Sequence, residues 1–253
     1  MPAESQSDSS VDTPGEADTG IRRRAVVLVL VVGLFGVAVA LSVGVVRLVE
    51  TVLGEVESGT TAGLVVSVVG LQAVGFGVGT AAVLWTREES WRTLLRVGNP
   101  TQWTAAYGAF VGLVLMSLTV VATLAFRFLG VEAAESTAGP VTDPVFYLAL
   151  FVLSTFVAVP MEEVFFRGIL QRRLEDAFHP AVAIASASVL FTLIHSSAGI
   201  GDSGELITAG LFFSFGVALG TSYYLTDDLL VPIIGHVIYN AVQILVRAAE
   251  VLL

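Results

Sequence analysis

The chain has no cysteine, which excludes disulfides, thiolate metal sites and cysteine nucleophiles. It has no lysine either, since all of its 12 cationic residues are arginine. Charge of either sign is scarce, at 13% of residues, where a soluble domain carries about a quarter. Within that small charged set 22 acidic residues outweigh the arginines, giving a net charge of -10, and an acidic balance argues against nucleic acid as a partner. Histidine is rare, with only His179, His195 and His236.

Apolar sequence fills the space that charge leaves. Hydrophobic residues make up 55% of the chain and the mean hydropathy is +0.85. Several apolar runs exceed the roughly 18 residues that identify a membrane-crossing helix. They do not alternate between apolar and polar residues, as strands of a transmembrane β-barrel must. The expected fold is therefore all-α, a polytopic transmembrane helical bundle of about seven spans, eight at most, with the bilayer as a partner.

Residues 1–24 form a polar, acidic tail rich in Ser, Thr, Gly and Pro that ends in Arg22, Arg23 and Arg24. Such a composition buries too little apolar surface to fold alone. The following apolar run is too long for a signal-peptide core, which is about 7–15 residues. Spans are expected near 25–46, 61–85, 104–126, 145–166, 181–196, 206–225 and 229–247. The fourth is the least regular, because Pro160 falls inside it and its apolar run passes into the amphipathic stretch Ile169–Phe178. A cytoplasmic N-terminus places Arg22, Arg23, Arg24, Arg87, Arg92, Arg96, Arg172 and Arg173 on the inside and only Arg47, Arg127 and Arg247 outside. That is the bias of the positive-inside rule. Gly75/Gly79 and Gly216/Gly220 have the spacing that lets membrane helices approach closely. No internal repeat of the kind many transporters carry is evident.

Three polar motifs interrupt these apolar segments: Glu162-Glu163-x-x-x-Arg167, Phe191-x-x-x-His195 and His236-x-x-x-Asn240. Ionisable groups are costly inside a bilayer and by default mark a functional site. His236 and Asn240, four residues apart, share one helix face. Glu162 and Glu163 are about 100° apart around a helix, so they cannot aim at one point. Glu163 and Arg167 have the favoured order for an i,i+4 ion pair, which leaves Glu162 free to react. Glu162 lies about 16 residues before the turn near Phe178–His179, and His195 about 16 after it. An antiparallel hairpin with Pro180 opening its second helix would therefore hold both at one depth. His236 and Asn240 follow the Asp227–Asp228 turn closely enough to reach similar depth, in the cytoplasmic half. A carboxylate, two imidazoles and an amide held away from water can activate a water molecule and stabilise an oxyanion.

Plainer roles exist for each residue. His195 can be an interhelical hydrogen-bonding group, His236 with Asn240 a polar clamp, and Glu163 with Arg167 a structural pair. His179 reads as an interfacial residue. The first three spans hold no strongly polar group beyond Gln72 and read as scaffold, which divides the chain into the tail, scaffold spans over 25–140 and a catalytic core over 141–253.

The three motifs, in this order on successive helices, resemble the CPBP family, which comprises CAAX prenyl proteases and related bacteriocin-processing proteins. The resemblance covers about residues 145–247. It implies an intramembrane endopeptidase in which Glu162 is the general base for water, His195 helps to hold that water, and His236 and Asn240 donate to the oxyanion. Glu163, Arg167 and Phe191 would support them. The substrate would be a peptide or membrane protein, lipidated at its C-terminus in the CAAX case. The family is often called metalloprotease, and Glu162, His195 and His236 could in principle bind zinc. The compact His-Glu-x-x-His signature is absent and asparagine is a poor zinc ligand, so a metal-free glutamate mechanism is preferred, with zinc as the alternative. Two other functions use the same residues: a proton- or ion-coupled transporter with a Glu162, His195 and His236 relay, and a non-catalytic immunity or scaffold member of the family.

Overall fold

The computed structural model describes residues 14–57, 59–131, 141–196 and 203–252. Among them the chain is helical throughout, with no strand. The helices are α1 (Pro14–Leu53), α2 (Thr61–Trp85), the single turn α3 (Trp91–Leu94), α4 (Gln102–Leu129), α5 (Pro144–Glu175), α6 (Pro180–His195), α7 (Ser203–Thr226) and α8 (Leu230–Leu252). Six of these, α1, α2, α4, α5, α7 and α8, are long and apolar enough to cross a membrane. Their outer faces expose Val29, Val32, Phe110, Leu124, Phe156 and Leu225. So broad an apolar surface suits a lipid solvent.

The fifth expected span, 181–196, is present as a shorter apolar helix. It is α6, with 16 residues and thus about 24 Å long, short of the roughly 30 Å hydrocarbon core. It starts as expected, with Pro180 in its first turn and the His179 side chain accepting the Ala181 N–H, so His179 caps the helix. Its C-terminal residue is His195. The first helix, α1, begins at Pro14, inside the stretch 1–24 read from sequence as a tail, and residues 1–13 of that tail lie outside the described residues.

Pro160 does not end the fourth span, which continues as α5 to Glu175. Proline lacks an N–H and its ring collides with the carbonyl four residues back in an α-helix. Here the turn before it, Ser154–Ala158, is π-helical, and the Val159 N–H bonds to the Ser154 carbonyl five residues back. The wider turn gives the ring room. After one α-helical turn, Val159–Glu163, a second π-helical stretch runs over Val164–Gln171. A third occupies Val69–Phe76 in α2.

One end of the bundle gathers the arginine-rich connections. Arg96, in the loop after α3, pairs with Glu175 at the end of α5 (3.5 Å) and with Asp227 in the α7–α8 turn (2.9 Å). The Leu229 N–H donates to the Arg96 carbonyl, and the Gly98 N–H donates to the Asp228 carboxylate. Arg96 and Asp227 both take left-handed backbone conformations, with φ of 51° and 52°. Arg47, Arg127 and Arg247 belong to the opposite ends of their helices.

Helix contacts are closest at glycines. The expected pairs are in such contacts: Gly75 lies on the Ala38 carbonyl and Ser42 of α1, Gly79 under the Phe165 ring, Gly216 on Ser188 and Gly220 on Gln171. A third set, Gly108 and Gly112 of α4 against Gly235 of α8, locks the helix that carries His236. A Cβ at Gly235 would stand 2.7 Å from Val111 and 3.0 Å from the Gly108 carbonyl. Gly235→Val should cost about 1–3 kcal/mol by overpacking. A clear drop in the thermal midpoint in detergent checks this, and an unchanged midpoint would contradict the packing.

Candidate active site

Three of the four residues expected to react meet around one carboxylate oxygen. Glu162 Oε2 stands 3.9 Å from His195 Nε2 and 3.9 Å from His236 Nε2. The hairpin geometry accounts for the first pair, since α5 and α6 run antiparallel from their shared turn and bring Glu162 and His195 to one level. The α7–α8 turn delivers His236 from the same end. All three lie near the centre of the bundle, with Glu162 and His236 buried and His195 half-buried.

The other ring nitrogens are engaged. His195 Nδ1 is 2.8 Å from the Phe191 carbonyl. A carbonyl only accepts, so Nδ1 carries the hydrogen and donates. His236 Nδ1 is 2.8 Å from Glu163 Oε1, and a carboxylate likewise accepts. In the neutral imidazoles both Nε2 atoms are therefore acceptors, and both face Glu162. The side chains of this cluster leave three acceptors confronting one another at distances too long for direct hydrogen bonds.

Glu163 holds the neighbouring charge. It is 0% exposed, and its Oε1 receives Arg167 Nη1 at 3.1 Å as well as the His236 imidazole. Arg167 is 1% exposed, and its Nη2 donates to the Gly216 carbonyl at 3.4 Å. Its guanidinium also lies 4.6 Å from the centre of the Phe191 ring, a cation–π contact. Phe191 stacks on His195 as well, at 4.1 Å between centroids. Glu163 thus pairs with Arg167 and His236 Nδ1, whereas Glu162 Oε2 faces Nε2 of both histidines.

Asn240 is one helical turn beyond His236 on α8, and its Nδ2 donates to Ser154 Oγ at 3.2 Å. Ser154 belongs to the π-helical turn before Pro160, and nothing in the sequence singles it out. Gln72 was the other unexpected neighbour. Its Nε2 donates to Glu162 Oε1 at 2.6 Å, so α2, read from sequence as scaffold, touches the central carboxylate. The available signal was that Gln72 is the one strongly polar residue of the first three spans.

Glu162, His195 and His236 do not form a metal site as placed. Among the described residues no group of three or more His, Cys, Asp or Glu side chains is arranged to hold an ion. The 3.9 Å separations of Glu162 Oε2 from the two Nε2 atoms exceed the about 3.4 Å edge of a tetrahedron with zinc-like bonds of about 2.1 Å.

In a helical bundle suited to a membrane, a carboxylate and two imidazoles converge at the centre, a set of groups chemically able to transfer protons. The family model described as Type II CAAX prenyl endopeptidase Rce1-like matches residues 144–242, a stretch holding all three motifs. This match supports placing that segment in the CPBP and CAAX protease family, a family of proteases. Neither the curated proteins nor the solved structures gave a match.

The pairings carry a stability prediction. Glu163→Ala strands a buried guanidinium and removes the partner of His236, and breaking a buried pair in this way costs about 3–5 kcal/mol. Glu162→Ala leaves the Glu163–Arg167 pair intact and should cost less. Thermal midpoints or folded yield of the two variants check the order, and a larger loss for Glu162→Ala would reverse the assignment.

Proposed function

We propose that this protein is an intramembrane endopeptidase that hydrolyses a peptide bond with water activated by Glu162. The observation that carries the proposal is the meeting of Glu162 Oε2 with two imidazole Nε2 atoms, each at 3.9 Å. Hydrogen bonds of about 2.8 Å to a shared water oxygen fit those separations. Such a water would give one hydrogen bond to Glu162 and another to an imidazole, which points its oxygen lone pairs towards an incoming carbonyl carbon.

In the reaction Glu162 Oε2 takes a proton from the water as its oxygen bonds to the carbonyl carbon. The carbonyl electrons move onto oxygen, and the tetrahedral oxyanion needs donors. Asn240 Nδ2 has a second N–H beyond the one directed at Ser154. His236 donates at Nε2 only as an imidazolium, whose other nitrogen donates to Glu163. The Arg167 charge is offset by Glu163, so one imidazolium beside Glu162 leaves the cluster near neutrality. When the carbon–nitrogen bond breaks, the proton on Glu162 passes to the leaving amine. The cleaved peptide leaves as a carboxylic acid and an amine, between which the acid proton then passes to give carboxylate and ammonium, and Glu162 is restored. Each step is general acid–base or oxyanion chemistry, and none is routed through a metal.

The substrate we propose is a peptide or membrane-protein segment entering the cytoplasmic half of the bilayer, with the N-terminus of this protein cytoplasmic. The family description points to a C-terminus that carries a prenylated cysteine.

The test uses purified protein in liposomes and a set of C-terminal peptides in farnesylated and unlipidated forms. Wild type should cleave at least one farnesylated peptide, and Glu162→Ala should lower the rate by about 100-fold or more. Addition of a chelator should leave the rate unchanged, whereas loss of activity restored by zinc would bring a metal into the site. Absence of cleavage by wild type, or undiminished cleavage by Glu162→Ala, would overturn the proposal. Ion flux abolished by Glu162→Ala in the same liposomes, without cleavage, would favour the transporter instead.

A further inference from the structure

Gln72 lies outside the segment that carries the family resemblance, since the family match begins at residue 144. It is nonetheless bonded to the carboxylate at the centre of the site. We infer that Gln72 is a positioning residue that makes Oε2 the reactive oxygen of Glu162, an inference that rests on the endopeptidase function proposed above.

The identity of the amide atoms follows from chemistry. A carboxylate accepts hydrogen bonds and does not donate them, so the atom 2.6 Å from Glu162 Oε1 is the amide nitrogen. Both groups are buried, Gln72 at 5% and Glu162 at 6% exposure. A short hydrogen bond to a charged acceptor away from water is among the stronger kinds. The terminal torsion of a glutamate side chain is broad and roughly two-fold, so an untethered carboxylate could present either oxygen to the histidines. With Oε1 held by Gln72, rotation stops, and Oε2 alone faces His195 and His236.

Helix packing does not account for this glutamine. Its Oε1 is buried without a partner, and an unmet buried acceptor costs free energy. An apolar side chain of similar size would pack between α2 and α5 without that cost. The bond to Glu162 is what distinguishes glutamine from such a residue. Local backbone supports the reach: Gln72 sits in the π-helical stretch Val69–Phe76, and its carbonyl accepts the Gly77 N–H five residues on. Next to it, Gly75 lets α1 approach closely and Gly77 abuts Met161 of α5. The stretch is thereby pressed against the turn that carries Glu162.

The experiment compares wild type, Glu162→Ala, Gln72→Met and Gln72→Asn in the peptide-cleavage assay, with rates normalised to folded protein. Gln72→Met keeps the volume and removes the donor. Gln72→Asn keeps the amide but shortens its reach by one methylene. We expect kcat to fall by about 10–100-fold in both, as for a misplacement of about 1 Å at the reacting group, with KM changed less than about three-fold. A structural role would instead lower the thermal midpoint and leave kcat per folded molecule unchanged. That result in either folded variant, with Glu162→Ala inactive, would overturn the role of Gln72 while leaving the endopeptidase assignment intact. Undiminished cleavage by Glu162→Ala would overturn the endopeptidase site, and the role of Gln72 with it.

Discussion

One carboxylate oxygen, Glu163 Oε1, receives both the Arg167 guanidinium and the His236 imidazole in a region closed to solvent. Burying three ionisable groups among apolar helices is costly unless each is paired. Here the pairing also sets geometry. It joins α5 to α8, fixes which nitrogen of His236 carries hydrogen, and directs the other nitrogen towards Glu162. Arg167 extends the same network to the Gly216 carbonyl of α7 and to the ring of Phe191 on α6. Four helices thus meet on a single charged pair, and Glu162 stands beside it.

The backbone around this pair is unusually wide. Glu162 and Glu163 occupy one α-helical turn with π-helical stretches on both sides, and Gln72 reaches Glu162 from a third. A π-helical turn inserts an extra residue and so changes which side chains face a neighbour. In α5 it accommodates Pro160 and turns Ser154 towards Asn240. Without it the proline would break the helix that carries the carboxylates.

Sequence brought the convergence of Glu162, His195 and His236 into view and left their surroundings much less visible. Glu162 and His195 could be matched because both are counted from one turn, and a regular rise per residue turns that count into depth. Glu163 with Arg167 followed from spacing along a helix. His236 and Asn240 share a face for the same reason. Gln72 and Ser154 depend on contacts between helices far apart in sequence and on local widening that no periodicity announces. Likewise the polar composition of the tail gave no sign that α1 starts at Pro14.

The central claim is that Glu162 acts as a base on water and does not itself attack the substrate. Single-turnover cleavage in water enriched in oxygen-18, followed by mass spectrometry of both product and protein, addresses it directly. Attack by activated water places the heavy oxygen in the new carboxylate of the product and leaves Glu162 unlabelled. Heavy oxygen in the Glu162 carboxylate after one turnover would reveal a covalent acyl intermediate and contradict the account.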